Sequence, residues 1–287
     1  MSQDRLDASL DIDRRSTLEI VRIIQEQDAL VAPAVAAEAQ HIAHAVDEIV
    51  NRMQNGGRLF YAGAGTSGRI AMLDAAELPP TFGIDSSLVR VLMAGGERAF
   101  FAAAEGAEDD EDAAIATVER EVVADDALVG IAASGTTPYT VAAIRKANMI
   151  GALTVAVTSR ADSPLAQDAD IAIVPDTGPE VIMGSSRMKS GTAQKLVLNT
   201  LSTAVMIRLG HVYSNLMIDM PATNQKLRNR AVRMVELAAG VSGPAAAQAL
   251  RDASGSVRVA AVIAKKRVPA DEARALLQSK PLRELLQ

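Results

Sequence analysis

The sequence predicts an α/β fold: a doubly wound, five-stranded parallel sheet flanked by helices, with a small helical domain at its C-terminal end. Between residues 58 and 174, short apolar runs end in small polar residues and lead into helical stretches, the pattern of repeated βα units. Two of the turns that follow such runs, 63–68 and 134–138, are rich in Gly, Ser and Thr, and both fall at the carboxyl ends of expected strands. A length of 287 residues lies near the size at which a single core stops growing, so one main core with an appendage is expected.

Residues 17–53 read as helices, because Leu18, Val21 and Ile24, then Ile42, Val46, Ile49 and Val50, recur at helical spacing, with Pro33 marking a break or a new first turn. They form a lead-in, 1–55, packed on the main domain. His41 and His44, three apart on the second helix, form a possible ligand pair, but without a third ligand nearby a solvated face is the better reading. The expected strands are 58–62, 90–93, 127–132, 153–157 and 171–174, within a sheet domain of 56–224. Residues 192–207 contain neither Gly nor Pro, so a long helix from about 188 to 209 is expected, largely buried. After Asn224 come Lys226, Arg228, Arg230 and Arg233 on one helix, then short Ala-rich helical patterns separated at Gly243-Pro244, Gly255 and Pro269. This tail, 225–287, is expected to be a separate helical domain, and its basic residues read as a solvated face rather than an anion site.

Composition removes whole classes of chemistry. No cysteine means no disulfide scaffold, thiolate metal site or thiol nucleophile. A net charge of -6 with 2% aromatic residues argues against nucleic acid as a partner, which favours a basic footprint and stacking rings. The longest apolar stretches, such as 149–157, fall far short of the ~20 residues that a membrane span requires. The first twenty residues lack the apolar run of a secretory signal, so the cytoplasm is expected. With three histidines in the chain, acid-base work near neutral pH would fall to carboxylates or lysines.

The first turn, Gly63-Ala64-Gly65-Thr66-Ser67-Gly68-Arg69, matches the GxGxxG pattern of dinucleotide sites. The acidic residue such a site needs at the end of the next strand is missing, since that strand runs into Ala94-Gly95-Gly96. Thr66 and Ser67 instead stand at a helix N-terminus, where hydroxyls and free N–H groups can hold an anion or merely cap the helix. Ser134-Gly135-Thr136-Thr137-Pro138 repeats the chemistry after the third strand and favours ligand binding. The third stretch, Gly184-Ser185-Ser186-Arg187-Met188-Lys189-Ser190-Gly191-Thr192, adds cations but lacks the Gly-Lys-Ser/Thr order of a triphosphate-binding loop, so a monophosphate fits better.

Two carboxylates draw notice. The helix that begins near Ser67 should end at Glu77, because Pro79-Pro80 cannot continue it, and the helix dipole there would favour the protonated form that a general acid needs. An ordinary exposed side chain at a helix end is the plainer alternative. Glu108 lies in the acidic run Glu105-Gly106-Ala107-Glu108-Asp109-Asp110-Glu111-Asp112, which lacks EF-hand spacing and reads as a solvated helix start; charge alone does not single it out.

These turns, together with Asp74-Ala75-Ala76-Glu77-Leu78-Pro79-Pro80 and Glu105-Gly106-Ala107-Glu108-Asp109, resemble the N-acetylmuramic acid 6-phosphate etherase family over nearly the whole chain, from Ser16-Thr17-Leu18-Glu19 through Ala222-Thr223-Asn224. The resemblance implies a sugar isomerase (SIS) fold, a ubiquitin-associated-like tail, a homodimer, a phosphosugar substrate, and catalysis without metal or redox cofactor. It also implies cleavage of the D-lactyl ether to N-acetylglucosamine 6-phosphate and (R)-lactate, in amino-sugar recycling. On the matching positions, Glu77 is the acid that protonates lactate and Glu108 the second catalytic carboxylate. Gly65, Thr66, Ser67, Ser134, Gly135, Thr136 and Thr137 would hold the phosphate or sugar, with Ser185, Ser186, Arg187 and Lys189 as further contacts. The rivals are an aldose-ketose sugar phosphate isomerase, which needs no acid for a leaving alcohol, and a non-catalytic sensor such as the related glucokinase regulatory protein, whose tandem domains need a longer chain.

Overall fold

The computed structural model describes residues 5–102 and 104–287, so residues 1–4 of the expected lead-in lie outside the described residues. Three helices open the chain: α1 (Thr17–Asp28), α2 (Val31–Ala37) and α3 (Ala39–Gln54). A capping box starts α1, with the Ser16 hydroxyl accepting from the Glu19 N–H and the Glu19 carboxylate accepting from the Ser16 N–H. Helix α3 buries Ile42, Ala45, Val46, Ile49 and Val50, the stripe that its spacing predicts. His41 and His44 lie on its exposed side, where His41 Nδ1 meets the Glu38 carboxylate at 2.8 Å.

Five strands follow, β1 (Leu59–Gly63), β2 (Val89–Met93), β3 (Ala127–Ile131), β4 (Leu153–Val157) and β5 (Ile171–Ile173). They pair in parallel in the order β2-β1-β3-β4-β5. Every residue of β1, β3 and β4 is buried, as expected where crossover helices cover both faces of a sheet. The connecting helices are α4 (Gly65–Phe82), α5 (Arg98–Phe101), α6 (Glu111–Glu121), α7 (Pro138–Ile150), α8 (Pro164–Asp168) and α9 (Lys189–Arg208). One core layer packs Phe60, Leu92 and Leu128 of the sheet against Val118 of α6 and Ile144 of α7. At the amino ends of the strands the buried Asp126 carboxylate accepts from the Arg58 and Val123 N–H groups at 2.7 and 2.9 Å and pairs with the Arg58 guanidinium at 2.8 Å.

Two expectations from the sequence are corrected. Helix α4 does not stop at Glu77; it runs through Pro79 and Pro80 to Phe82. The prolines remove the N–H groups that would bond the carbonyls of residues 75 and 76, yet their fixed φ is helical, and burial of Leu78 and Phe82 one turn apart favours continuation. The helix closes with the Gly83 N–H donating to the Pro79 carbonyl at 2.9 Å. Helix α9 has the expected length but is buried along one side only: Ala193, Val197, Leu198, Leu201 and Val205 are inside, whereas Thr192, Lys195, Thr203 and Ile207 are exposed. Its buried side carries the polar Ser190, Gln194 and Ser202 among apolar residues while Ile207 lies outside, so the helix has almost no amphipathic period from which the sequence could reveal the exposed side.

The chain forms two compact units, one of residues up to Ala75 with Ser86–Val205, the other of Ala76–Asp85 with Met206–Gln287. The second contains the antiparallel pair β6 (Val212–Tyr213) and β7 (Leu216–Met217) and helices α10 (Gln225–Ala239), α11 (Gly243–Asp252), α12 (Val257–Lys266), α13 (Ala270–Ser279) and α14 (Leu282–Leu286). Its core is built around Ile218, Val235, Leu250, Val262, Leu282 and Leu285, with small alanines such as Ala231, Ala246 and Ala260 allowing close approach of the helices. Gly83 belongs to this unit because it lies on the Asp219 backbone: a Cβ there would stand 2.1 Å from that carbonyl oxygen, so no other residue fits. Lys226, Arg228, Arg230 and Arg233 are exposed on α10, a solvated face as expected.

Asp219 also anchors a polar cluster of this second unit. Its carboxylate accepts from His211 Nδ1 at 3.0 Å and from Arg258 Nε at 2.6 Å, while Arg258 donates to the Gly210 carbonyl. Burial pushes the Asp219 carboxyl up, but hydrogen bonds and charge from His211 and Arg258 outweigh it and leave it below the usual carboxylate range. A carboxyl depressed in the folded state contributes stability above its unfolded value of about 3.9, and that contribution is lost as pH falls through the lower, folded value. Asp219→Asn is therefore expected to lower the urea midpoint at pH 7 and to lose its difference from the parent protein toward pH 3. Urea titrations across that range check this, and a difference independent of pH would contradict it.

Candidate active site

The strand order 2-1-3-4-5 reverses direction between β1 and β3, and open sheets of this kind bind ligands in the crevice at the carboxyl ends of the strands on either side of that reversal. The first two hydroxyl-rich turns leave those two strands, whose last residues Gly63 and Ile131 are direct neighbours in the sheet. The convergence expected from the sequence thus has a topological cause.

On the first turn Gly65 opens α4, and Thr66 and Ser67 occupy its first turn, half-buried. The Ser67 hydroxyl donates to Gln194 Oε1 on α9 at 3.0 Å. Gln194 is 2% exposed, and its Nε2 has no hydrogen-bond partner among the described residues. Sequence reasoning missed Gln194 because a single amide inside a largely apolar helix carries no motif. On the second turn Ser134 accepts from both the N–H and the hydroxyl of Thr136, at 3.2 and 3.0 Å. Thr137 is the N-cap of α7 but spends no side-chain hydrogen bond on capping, and Pro138 supplies the preset first helical residue. Gly135 is required here: its φ is +66°, and a Cβ would lie 2.1 Å from Ser163 Oγ.

The third stretch comes beside the first turn, since a Cβ on Gly191 would lie 3.7 Å from Thr66 Cγ2. Ser185 and Ser186 are half-buried and Arg187 is exposed. Lys189 points elsewhere: it is 1% exposed, and its ammonium donates to Gln27 Oε1 on α1 at 2.9 Å. Burial pulls the Lys189 ammonium below its ordinary range, opposed by the charges of Glu180, Asp28 and Asp176. The amino end of α9 is already occupied by a protein carboxylate, because buried Glu180 accepts from the Lys189 and Ser190 N–H groups at 3.0 and 2.9 Å. That cap, nine residues upstream, has no local capping signature and was invisible in the sequence.

Glu108 lies in a short 3-10 turn, Ala107–Asp109, just before Asp110, whose carboxylate caps α6 by accepting from the Ala113 N–H at 2.9 Å. The acidic run is thus the start of a helix, as read. A cavity of about 250 Å³ brings Glu108 and Glu105 to Ala64, Gly65 and Arg69 of the first turn. Glu77 is exposed on α4, some three turns beyond Gly65 and within the second compact unit. Being interior to the helix, it does not face a helix C-terminus, so the dipole argument for it falls away. Between these positions α4 is pinned by buried Asp74, which accepts from Tyr61 Oη at 2.9 Å, Asn199 Nδ2 at 2.6 Å and Ser202 Oγ at 3.1 Å. Burial, then the Asp74 charge, pushes the Tyr61 phenol well above its ordinary range, so it stays a neutral donor.

Comparison with known proteins adds identity to this geometry. The model of the glucokinase regulatory protein N-terminal SIS domain matches residues 41–148, and that of the SIS domain matches residues 99–204. The N-acetylmuramic acid 6-phosphate etherase of Symbiobacterium thermophilum is 59% identical over 262 residues, 91% of this chain and 87% of its own length. That of Clostridium beijerinckii is 48% identical over 95% of this chain and 90% of its own length. Among solved structures, a phosphoheptose isomerase from Francisella tularensis superposes with a TM-score of 0.53 at 20% identity, over 67% of this chain and 98% of its own. At that identity the likeness is one of fold, and it agrees with the five-stranded parallel sheet.

Proposed function

The chain belongs to the N-acetylmuramic acid 6-phosphate etherase family, and on that premise we propose that it cleaves the D-lactyl ether of N-acetylmuramic acid 6-phosphate with water, giving N-acetylglucosamine 6-phosphate and (R)-lactate. The single observation that carries this reading is the 59% identity across 91% of the chain, a span that includes both carboxylates and all three turns.

An ether is inert at neutral pH, so the enzyme must first activate the carbon beside it. In the ring-opened sugar the C1 aldehyde acidifies the C2 proton. A base removes that proton, the C3–O bond breaks, and an acid protonates the departing lactate oxygen; water then adds across the C2–C3 double bond, its oxygen to C3 and a proton to C2. The first half is an elimination, which makes the enzyme a carbon-oxygen lyase. Glu77 protonates the lactate oxygen, and Glu108 handles the C2 proton and the incoming water. Thr66, Ser67, Ser134, Thr136 and Thr137 hold the phosphate or sugar, with Gly65 and Gly135 letting the backbone come close, and Ser185, Ser186 and Arg187 adding contacts. Lys189, buried with its ammonium on Gln27, is left out of those contacts. Remote binding of the phosphate fixes the reacting carbons without entering the chemistry.

Every step is a proton transfer or an addition that carboxylates and water accomplish, so the reaction proceeds without a metal or redox cofactor. We place the enzyme in the cytoplasm as a homodimer. The exposed side of α9, where Ile207 is 48% exposed, is a surface that a second copy would cover. No helix among the described residues is long and apolar enough to cross a membrane.

The test uses chelator-treated protein with N-acetylmuramic acid 6-phosphate in ¹⁸O-water. Lactate is expected with the label in the sugar C3 hydroxyl and none in lactate. Label in the lactate hydroxyl would mean attack at the lactyl carbon and would overturn the elimination, and activity lost with the chelator and restored by a metal would overturn the carboxylate mechanism.

A further inference from the structure

The first turn of α4 and the loop after β2 are joined by one side chain. Arg69 is half-buried, and its guanidinium donates from Nε to the Phe100 carbonyl at 3.1 Å and from Nη2 to the Ala99 and Ala102 carbonyls at 2.9 and 3.3 Å. These oxygens lie at the end of α5, a helix of 4 residues that cannot satisfy its own last carbonyls and so needs an outside donor. Glu108, further along the same loop, lines the cavity that Gly65 and Arg69 itself also line. At its start the loop is tied to the first turn by the Ala94 N–H donating to the Gly63 carbonyl at 3.1 Å, and at its far end by the Asp110 cap of α6. Arg69 supplies the anchor between these two.

We infer that Arg69 is a positioning residue for the etherase reaction, holding the loop between β2 and α6 against the α4 turn so that the Glu108 carboxylate meets the substrate bound there. The inference deepens the reading of Glu108 as catalytic and rests on it. A guanidinium suits the task because its fixed fork reaches separate carbonyls at once, which a single ammonium cannot reproduce. With Nε and Nη2 committed to the backbone, Arg69 sets geometry, and its contribution belongs in kcat rather than in substrate affinity.

The experiment measures kcat and KM for lactate release in Arg69→Met and Arg69→Lys, each alone and combined with Glu108→Gln. Arg69→Met is expected to lower kcat about 100-fold, the size of effect that a shift of about 1 Å in a reacting group produces, with KM within about threefold of the parent. Arg69→Lys is expected to recover part of that loss. In the Glu108→Gln background, either Arg69 variant is expected to cost less than about threefold more, because two residues acting through one group do not lose activity independently. Losses that multiply in the double variants, or a raised KM at unchanged kcat, would overturn the positioning role. A Glu108→Gln enzyme with unimpaired kcat would overturn the underlying reading of Glu108 instead, and that result is visible without any Arg69 variant. Should Arg69→Met not fold, Arg69→Lys keeps the charge and carries the same cycle.

Discussion

Glu77→Gln is expected to lower kcat for lactate release by about 10³-fold, within the range that a positioned general acid contributes, while phosphosugar binding stays within about threefold of the parent. The amide keeps the shape of the side chain but has no acidic proton to give the departing lactate. Because loss of the C2 proton precedes or accompanies cleavage, the variant is also expected to exchange that hydrogen with deuterated water without releasing lactate. Calorimetric binding, single-turnover lactate release and mass-spectrometric exchange together check this. Loss of binding with chemistry preserved in the remaining complex would remove Glu77 from the role of acid. The expectation draws on the family correspondence rather than on helix position, since α4 continues past Glu77 to Phe82.

For Glu108→Gln the expected loss in kcat is of similar size, about 10³-fold, but the exchange signature is opposite. With the carboxylate proposed to handle the C2 proton replaced by an amide, C2 exchange should fall together with lactate release and by a similar factor, leaving a measurable residual rate. Binding should again persist, because the hydroxyls of Thr66, Ser67, Ser134 and Thr137 are untouched. If Glu108→Gln exchanged C2 hydrogen at the parent rate while Glu77→Gln did not, the two roles would have to be interchanged. The pair of variants therefore assigns each carboxylate by a readout that overall activity alone does not provide.

Much of the fold is legible before any coordinates. Strands β1, β3 and β4 are five-residue apolar runs bounded by polar turns, and their complete burial is what such runs mean in a parallel sheet. The hydroxyl-rich turns are likewise local: Gly135 must be glycine because of its own positive φ, and Thr137-Pro138 announces a helix start by itself. Local rules fail where packing outweighs them. Two consecutive prolines end a helix in isolation, but Leu78 and Phe82 are both buried, and continuing the helix keeps them on one face.

The sequence by itself determined the succession of the five parallel strands, the helical tail and the Gly/Ser/Thr turns, and through resemblance it nominated the two carboxylates. These signals sit within a few residues of one another, so backbone propensity and side-chain period are enough to express them. The tertiary structure alone decided which turns flank the reversal between β1 and β3, that Ser67 is bonded to Gln194, that Glu180 rather than a ligand caps α9, and that Arg69 spans from α4 to the loop carrying Glu108. The Ser67–Gln194 and Arg69–Ala99 pairs are separated by 127 and 30 positions in the chain. A hydrogen bond between such distant residues leaves no periodic trace in the sequence, because it exists only after burial has brought the two elements together and made an unpaired polar group costly.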